Sequence, residues 1–305
     1  MKIALASSSE VSLPLLEHLY NRDGFELKVV VTNPDKATGR GQVILENSVG
    51  KWCQQKKLLL EKPKNDGELR KVLLNNEIDL LITLAYGHIL SNEVINLPKF
   101  GAINLHYSLL PKYRGAAPVQ RAILNGEQVT GVTVFKLDVG MDSGPIYLQK
   151  SLEIEPNETT KELLNRLNLV GVELVGQTLD LISQEVQPMA QSTENISFAP
   201  KFIKQDGLID WQNGSDEIFN QYRAIGENPG VYTMYSGSKI KITGMEKQLS
   251  KTLMPGEFSL INQSLIVGTG TTDLLIHRLI PEGRKEMTGK DFFNGLQEKG
   301  KRHFA

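Results

Sequence analysis

Five short runs in the first half of the chain restrict its fold more than any other feature. Lys2 to Ala6, Leu27 to Thr32, Asp79 to Ala85, Ala102 to His106 and Val132 to Leu137 all read as strands, and several are apolar on both faces. A strand with two apolar faces must be covered from both sides, as happens in a parallel sheet flanked by helices. The stretches between them, Val11 to Tyr20, Glu46 to Lys56 and Glu68 to Asn76, carry helical periodicity. This alternation predicts an α/β domain built on a doubly wound, mostly parallel sheet. Ligands of such sheets bind beyond the C-terminal ends of the strands.

The 305 residues are enough for two domains. A leucine- and valine-rich segment from Thr159 to Ser183 predicts a long helix, and the polar stretch Gln187 to Asn195, with Pro188, reads as the start of a linker. The expected division is 1–186 as the first domain, 187–205 as linker and 206–305 as a second domain. In that last part, Val231 to Tyr235, Lys239 to Thr243, Ser264 to Gly268 and Leu274 to Leu279 are short strands punctuated by Gly and Pro, which suggest a small C-terminal β-barrel of the OB-like type.

Several classes of function are disfavoured. The first strand runs into Ser7-Ser8-Ser9 where a dinucleotide site would carry G-x-G-x-x-G, and Ser9 is placed to cap the following helix instead. Cys53 is the only cysteine, so no internal disulfide can form, and the five histidines lack metal-ligand spacing; no metal is expected. No run approaches the roughly 18 apolar residues of a membrane helix, so the expected location is the cytoplasm, with no membrane partner. A net charge of -1 gives no global attraction to nucleic acid, and any RNA contact must rest on local basic residues.

Polar information is densest between Leu84 and Gly144. Asn104 and His106 stand two apart in a strand pattern, so their side chains leave the same face. Asp142 lies in the glycine-bracketed turn Gly140-Met141-Asp142-Ser143-Gly144 that follows another strand. An amide, an imidazole and a carboxylate without an adjacent serine or cysteine nucleophile suit direct acyl transfer. Asn104 and His106 can donate to an oxygen on which negative charge develops, and Asp142 can set the protonation of the imidazole and take up a proton. A structural Asn/His pair is the competing reading of the same residues.

The run NLHYSLLPKYRGAAPVQRAI, followed by GVTVFKLDVGMDSGPI, resembles the folate-dependent formyltransferases, and weaker likeness, including FAPKFIKQDGLIDW at 198–211, extends over nearly the full chain. The resemblance implies a formyltransferase-type, Rossmann-like catalytic domain with Asn104, His106 and Asp142 as catalytic residues. It implies 10-formyltetrahydrofolate as the formyl donor, held by the Ser108, Leu109, Leu110, Pro111 loop and by a pterin pocket around Ile89, Leu90, Val139 and Gly140. Methionyl initiator tRNA is the implied acceptor, in translation initiation, with Lys36 and Arg40 of an inserted loop and Arg114 beside the folate loop as its cationic contacts. A monomer is expected. An amino-sugar nucleotide as acceptor, or water in a 10-formyltetrahydrofolate hydrolase, are the alternatives; the Gly39-Arg40-Gly41 loop and the second-domain motif favour tRNA.

Overall fold

A computed structural model describes residues 1–38, 43–296 and 302–305. The chain divides into two compact units. The first comprises Met1–Pro118, Val129–Glu153 and Glu162–Ala199; the second comprises Val119–Gln128, Ile154–Lys161 and Pro200–Ala305. Residues 187–199, read from sequence as linker, belong to the first unit.

In the first unit the strands are β1 (Lys2–Ala6), β2 (Glu26–Val31), β3 (Lys36–Thr38), β4 (Val43–Leu45), β5 (Leu60–Glu61), β6 (Leu80–Thr83), β7 (Ala102–His106), β8 (Val129–Lys136) and β9 (Ile146–Glu153). Seven of them form one sheet in the order β5-β2-β1-β6-β7-β8-β9, while β3 and β4 pair as a separate hairpin. The strands from β5 to β7 are parallel, and β8 and β9 add antiparallel at one side. The expected mostly parallel, doubly wound sheet is therefore present, with its order reversing between β1 and β6. The buried alanines and valines Ala4, Ala6, Val29 and Val31 pack with Leu69, Leu73 and Leu81. Removing these side chains from water is the main stabilising contribution, at roughly 1.5–3 kcal/mol per large apolar side chain.

The helices of the first unit are α1 (Leu13–Tyr20), α2 (Ser48–Lys56), α3 (Asp66–Asn75), α4 (Asn92–Ile95) and, from Glu162 on, α6 (Thr160–Ser183), while α5 (Pro118–Leu124) belongs to the second unit apart from Pro118. Their starts follow side-chain chemistry. Ser9 accepts from the Val11 amide ahead of α1, Asn47 caps α2 through Gly50 N at 2.9 Å, and Asn65 caps α3 through Glu68 N at 3.0 Å. Within the first unit α6 buries Leu163, Leu167, Leu174, Val175, Leu179 and Ile182 on one stripe. Gly171 lies on that stripe because a Cβ there would stand 2.8 Å from Leu105 of β7.

The second unit contains α7 (Ser215–Ile225), β10 (Val231–Tyr235), β11 (Ser238–Lys247), β12 (Phe258–Ile261), β13 (Ser264–Val267), β14 (Leu274–Pro281), β15 (Met287–Thr288) and α8 (Gly289–Asn294). Its sheet is antiparallel, in the order β10-β11-β14-β13-β12, with β15 on β14. Residues 302–305 hydrogen-bond both outer strands of this order. Ala305 exchanges bonds with Met234 of β10, while Arg302 O accepts from Phe258 N at 2.9 Å and Phe304 N reaches Gly256 O at 2.8 Å. This segment joins the two free edges of the sheet, as a closed barrel requires. Phe304 is fully buried in the seam and stacks on Phe258 with ring centroids 4.4 Å apart. Among the described residues no helix is long and apolar enough to cross a membrane, and no cluster of side chains has the make-up of a metal site.

Candidate active site

β7 lies between β6 and β8, with Asn104 opposite Thr83 on one side and Phe135 on the other. The two-residue period brings Asn104 and His106 onto one face, and Asn104 alone in this strand is partly exposed. Thr83 Oγ1 donates to Asn104 Oδ1 at 2.9 Å. The same hydroxyl lies 3.2 Å from the Ile103 carbonyl; with its one hydrogen on the nearer Asn104 oxygen, the NH2 end of the amide is the donor for a ligand.

His106 is buried. Its Nε2 lies 2.9 Å from the Tyr113 carbonyl, which can only accept, so Nε2 carries the hydrogen and Nδ1 is the free base. Nδ1 faces Asp142 Oδ2 at 3.7 Å, and that oxygen also accepts from Gly115 N at 2.7 Å. Burial holds the His106 imidazole below its ordinary pKa, while the Asp142 charge and the bond to Tyr113 oppose the shift. A neutral imidazole with its lone pair toward a carboxylate is set to accept a proton, because the resulting cation would be stabilised by that carboxylate.

Asp142 reaches this position by an indirect route. Lys136, at the end of β8, pairs with Ile103 near the start of β7, so the following turn must double back along β7 to the level of His106, over about 10 Å by strand geometry. The turn is tightly built. Asp138 accepts from Gly140 N at 3.0 Å and from the Ser143 hydroxyl at 2.8 Å, Lys136 N bonds Pro145 O at 2.8 Å, and Asp142 itself has φ +48°.

The loop Ser108 to Pro111 is held from within. Ser108 is buried with its hydroxyl on Lys112 O at 2.6 Å; its carbonyl accepts from Thr133 at 2.6 Å, and Gln149 donates to Leu110 O at 3.0 Å. Ser108 thus shapes the loop, and Leu109 and Pro111 are its partly exposed members. Leu90 is buried, but Ile89 is 90% exposed and Val139 74%, on the loop after β6 and on the Asp142 turn, and Gly140 is exposed beside Val139. Exposed apolar side chains at these positions suit contact with the face of a planar heterocycle whose edge groups are met by backbone.

Of the three cations expected to meet tRNA, Lys36 opens β3, and Arg40 lies outside the described residues. Arg114 is half-buried and donates from NH2 to Gln191 Oε1 at 2.7 Å. That contact commits one edge of its guanidinium inside the first unit. Sequence reasoning passed over four contributors to the site: Thr83, the Tyr113 carbonyl, the Gly115 amide and Gln191. Thr83 left a faint signal, as the one polar residue closing the otherwise apolar strand Leu80–Thr83. Backbone groups leave none.

Residues 1–179 match the formyl transferase family model, and residues 201–297 match that of the formyl transferase C-terminal domain. The methionyl-tRNA formyltransferase of Thermodesulfovibrio yellowstonii is 39% identical over 296 residues, covering 96% of this chain and 95% of the relative. That of Caldicellulosiruptor saccharolyticus is 34% identical over 311 residues, covering 98% of each. Among solved structures, HypX from Aquifex aeolicus superposes with TM-score 0.70 at 16% identity over 98% of this chain, which spans about half (49%) of that protein. An N-formyltransferase from Helicobacter canadensis, in complex with folinic acid and dTDP-3-aminofucose, gives TM-score 0.66 at 20% identity over 90% of this chain and 98% of its own. These two structures share the fold.

Proposed function

We propose, because this chain belongs to the methionyl-tRNA formyltransferase family, that Asn104, His106 and Asp142 carry out formyl transfer to the amino group of methionyl-tRNA. The donor is a formyltetrahydrofolate, which we take to be the 10-formyl form, and the acceptor is the initiator species. The observation that carries the mechanism is the bond from His106 Nε2 to the Tyr113 carbonyl, since it leaves Nδ1 as the base.

The folate supplies the formyl carbon and the nitrogen that leaves it. Asn104 Nδ2 donates to the formyl oxygen as negative charge develops there, an interaction stronger in the transition state than before it. As the new C–N bond forms, the attacking nitrogen becomes acidic and His106 Nδ1 accepts its proton. Asp142, 3.7 Å away, stabilises the imidazolium that results. His106 then returns the proton to the leaving nitrogen as the old C–N bond breaks, so no net proton is stored. We assign the Ser108 to Pro111 loop, with Ile89, Leu90, Val139 and Gly140, to the folate. Lys36 and Arg40 are assigned to acceptor-arm phosphates.

A formyl-transfer assay with 10-formyltetrahydrofolate and, in parallel, methionyl initiator tRNA, an amino-sugar nucleotide and no acceptor tests this reading. Transfer to the tRNA alone is expected. Transfer to the sugar or formate release without acceptor would overturn the acceptor assignment.

Asp142→Asn removes the charge that raises the His106 pKa, leaving burial to push it lower still. The acid limb of kcat/KM against pH, where His106 must be neutral, is therefore expected to move to lower pH while the plateau rate falls. An unmoved limb would separate Asp142 from the titration of His106. Arg40→Ala is expected to weaken tRNA binding and to reduce the slope of log affinity against log salt by about one unit if one phosphate contact is lost, leaving folate affinity unchanged. An unchanged slope would remove Arg40 from the RNA site.

A further inference from the structure

We infer that Gln191 is a positioning residue for formyl transfer, and that the segment 189–199 serves as a strap holding the catalytic groups in register. The inference rests on the activity proposed above and adds a residue and a segment to it.

Gln191 makes three bonds. Its Nε2 donates to the carbonyls of Asp142 and Gly144, both at 2.8 Å, and its Oε1 accepts from Arg114 NH2 at 2.7 Å. The side chain thus binds the backbone of the catalytic aspartate itself. Asp142 needs such support, because a non-glycine residue at φ +48° is held there only by its surroundings. Elsewhere the strap is stitched to the same site. Met189 and Ile146 exchange backbone bonds at 2.7 and 2.9 Å just after the turn. Arg114 N bonds Ser197 O, Ala199 N bonds Arg114 O, and Ala117 N bonds Ala199 O, so the strap pairs with the chain on either side of Gly115. Ser197 Oγ accepts from Tyr113 N at 2.9 Å. Tyr113 supplies the carbonyl that fixes His106, and Gly115 supplies the amide that fixes Asp142. Both members of the His106–Asp142 pair are therefore located by backbone that this one segment holds. Among the described residues Arg114 Nε is buried without a hydrogen-bond partner, so the contact to Gln191 is made through NH2.

His106 is faced by Asp142, the Tyr113 carbonyl and the Phe135 ring; burial lowers its pKa and Asp142 raises it, so withdrawal of Asp142 with burial kept moves the titration to lower pH. Gln191→Met keeps the volume, adds no charge and loses every hydrogen bond. Gln191→Glu keeps an acceptor for Arg114 but presents no donor to the two carbonyls. The experiment measures kcat, both KM values and, by NMR on the substrate-free chain, the His106 titration. Both variants are expected to lose at least about 10-fold in kcat with KM values within about two-fold, since a misplacement near 1 Å can cost up to about 10²-fold. In Gln191→Met the His106 titration is expected to move to lower pH as Asp142 withdraws. If Gln191→Met does not fold, Gln191→Glu carries the kinetic test. Wild-type kcat in either folded variant, or a loss of kcat with the His106 titration unmoved in Gln191→Met, would overturn the inference. If the wild-type chain does not formylate methionyl-tRNA, the activity reading fails, while the titration still judges the role of Gln191.

Discussion

His106→Ala is expected to lower kcat/KM by roughly 10²–10⁴-fold, the range for a general base acting in the transition state. The expectation follows from geometry. Nδ1 is a base beside Asp142 in the buried site, and its conjugate acid has a carboxylate 3.7 Å away. Asn104→Ala removes a single donor and is expected to cost roughly 10²–10³-fold. Because the two groups act on one transition state, the double variant should lose less than the product of the single losses. Steady-state kinetics with saturating folate would show the pattern. Near-normal turnover in His106→Ala would move the base elsewhere, and a double variant that loses the full product of the single losses would mean that the two residues contribute independently.

Gly144→Ala is expected to bring the next largest loss. A Cβ at this position would lie 1.8 Å from the carbonyl oxygen of Lys136, a backbone atom fixed by its place in β8, and the adjacent bond from Lys136 N to Pro145 O closes the turn. The turn must open to admit the methyl group, at a cost of about 1–3 kcal/mol in stability for an overpacked site. Opening it withdraws Asp142 from His106, with an expected loss of up to about 10²-fold in kcat. Gly140→Ala supplies the contrast. There the nearest atom is the Ser143 hydroxyl at 2.0 Å, a side chain that can rotate away and give up its bonds to Asp138, at about 1 kcal/mol. A melting curve and kcat for each variant separate the two cases. Equal activity in both would show that closure of the turn does not place Asp142.

Much of the first unit was legible because its signals are local. The strands β1, β2, β6 and β7 are short and apolar, and Ser9 marks where the first helix begins, whereas the caps Asn47 and Asn65 emerged only in the structure. β9 was not legible: as an edge strand it exposes Gln149, Lys150 and Ser151, so it lacks the apolar run that betrays a covered strand. In the second unit α7 was missed because its sequence, SDEIFNQYRAI, is polar enough to read as a surface loop, although Ile218, Phe219, Ala224 and Ile225 are buried. At the site, the spacing of Asn104 and His106 translated directly into a shared face. The meeting with Asp142 was anticipated, but not the route, because the antiparallel pairing of β8 is a tertiary fact with no signature in the turn itself. Arg114 illustrates the opposite limit. Its charge suggested a phosphate contact, whereas the distance to Gln191, 77 residues along the chain, gives it a second use that composition cannot disclose.

The strap also bears on how such a protein can be recombined with its relatives. Polarity and Pro188 make the stretch near 187 look like a natural seam, yet a chimera joined there would combine one parent's Asp142 and Arg114 with another parent's Gln191 and Ser197. A crossover after Ala199 would keep each parent's Asp142 turn with the segment that holds it. The unit of inheritance for this chemistry therefore extends past the long helix α6, to the last residue of the first compact unit.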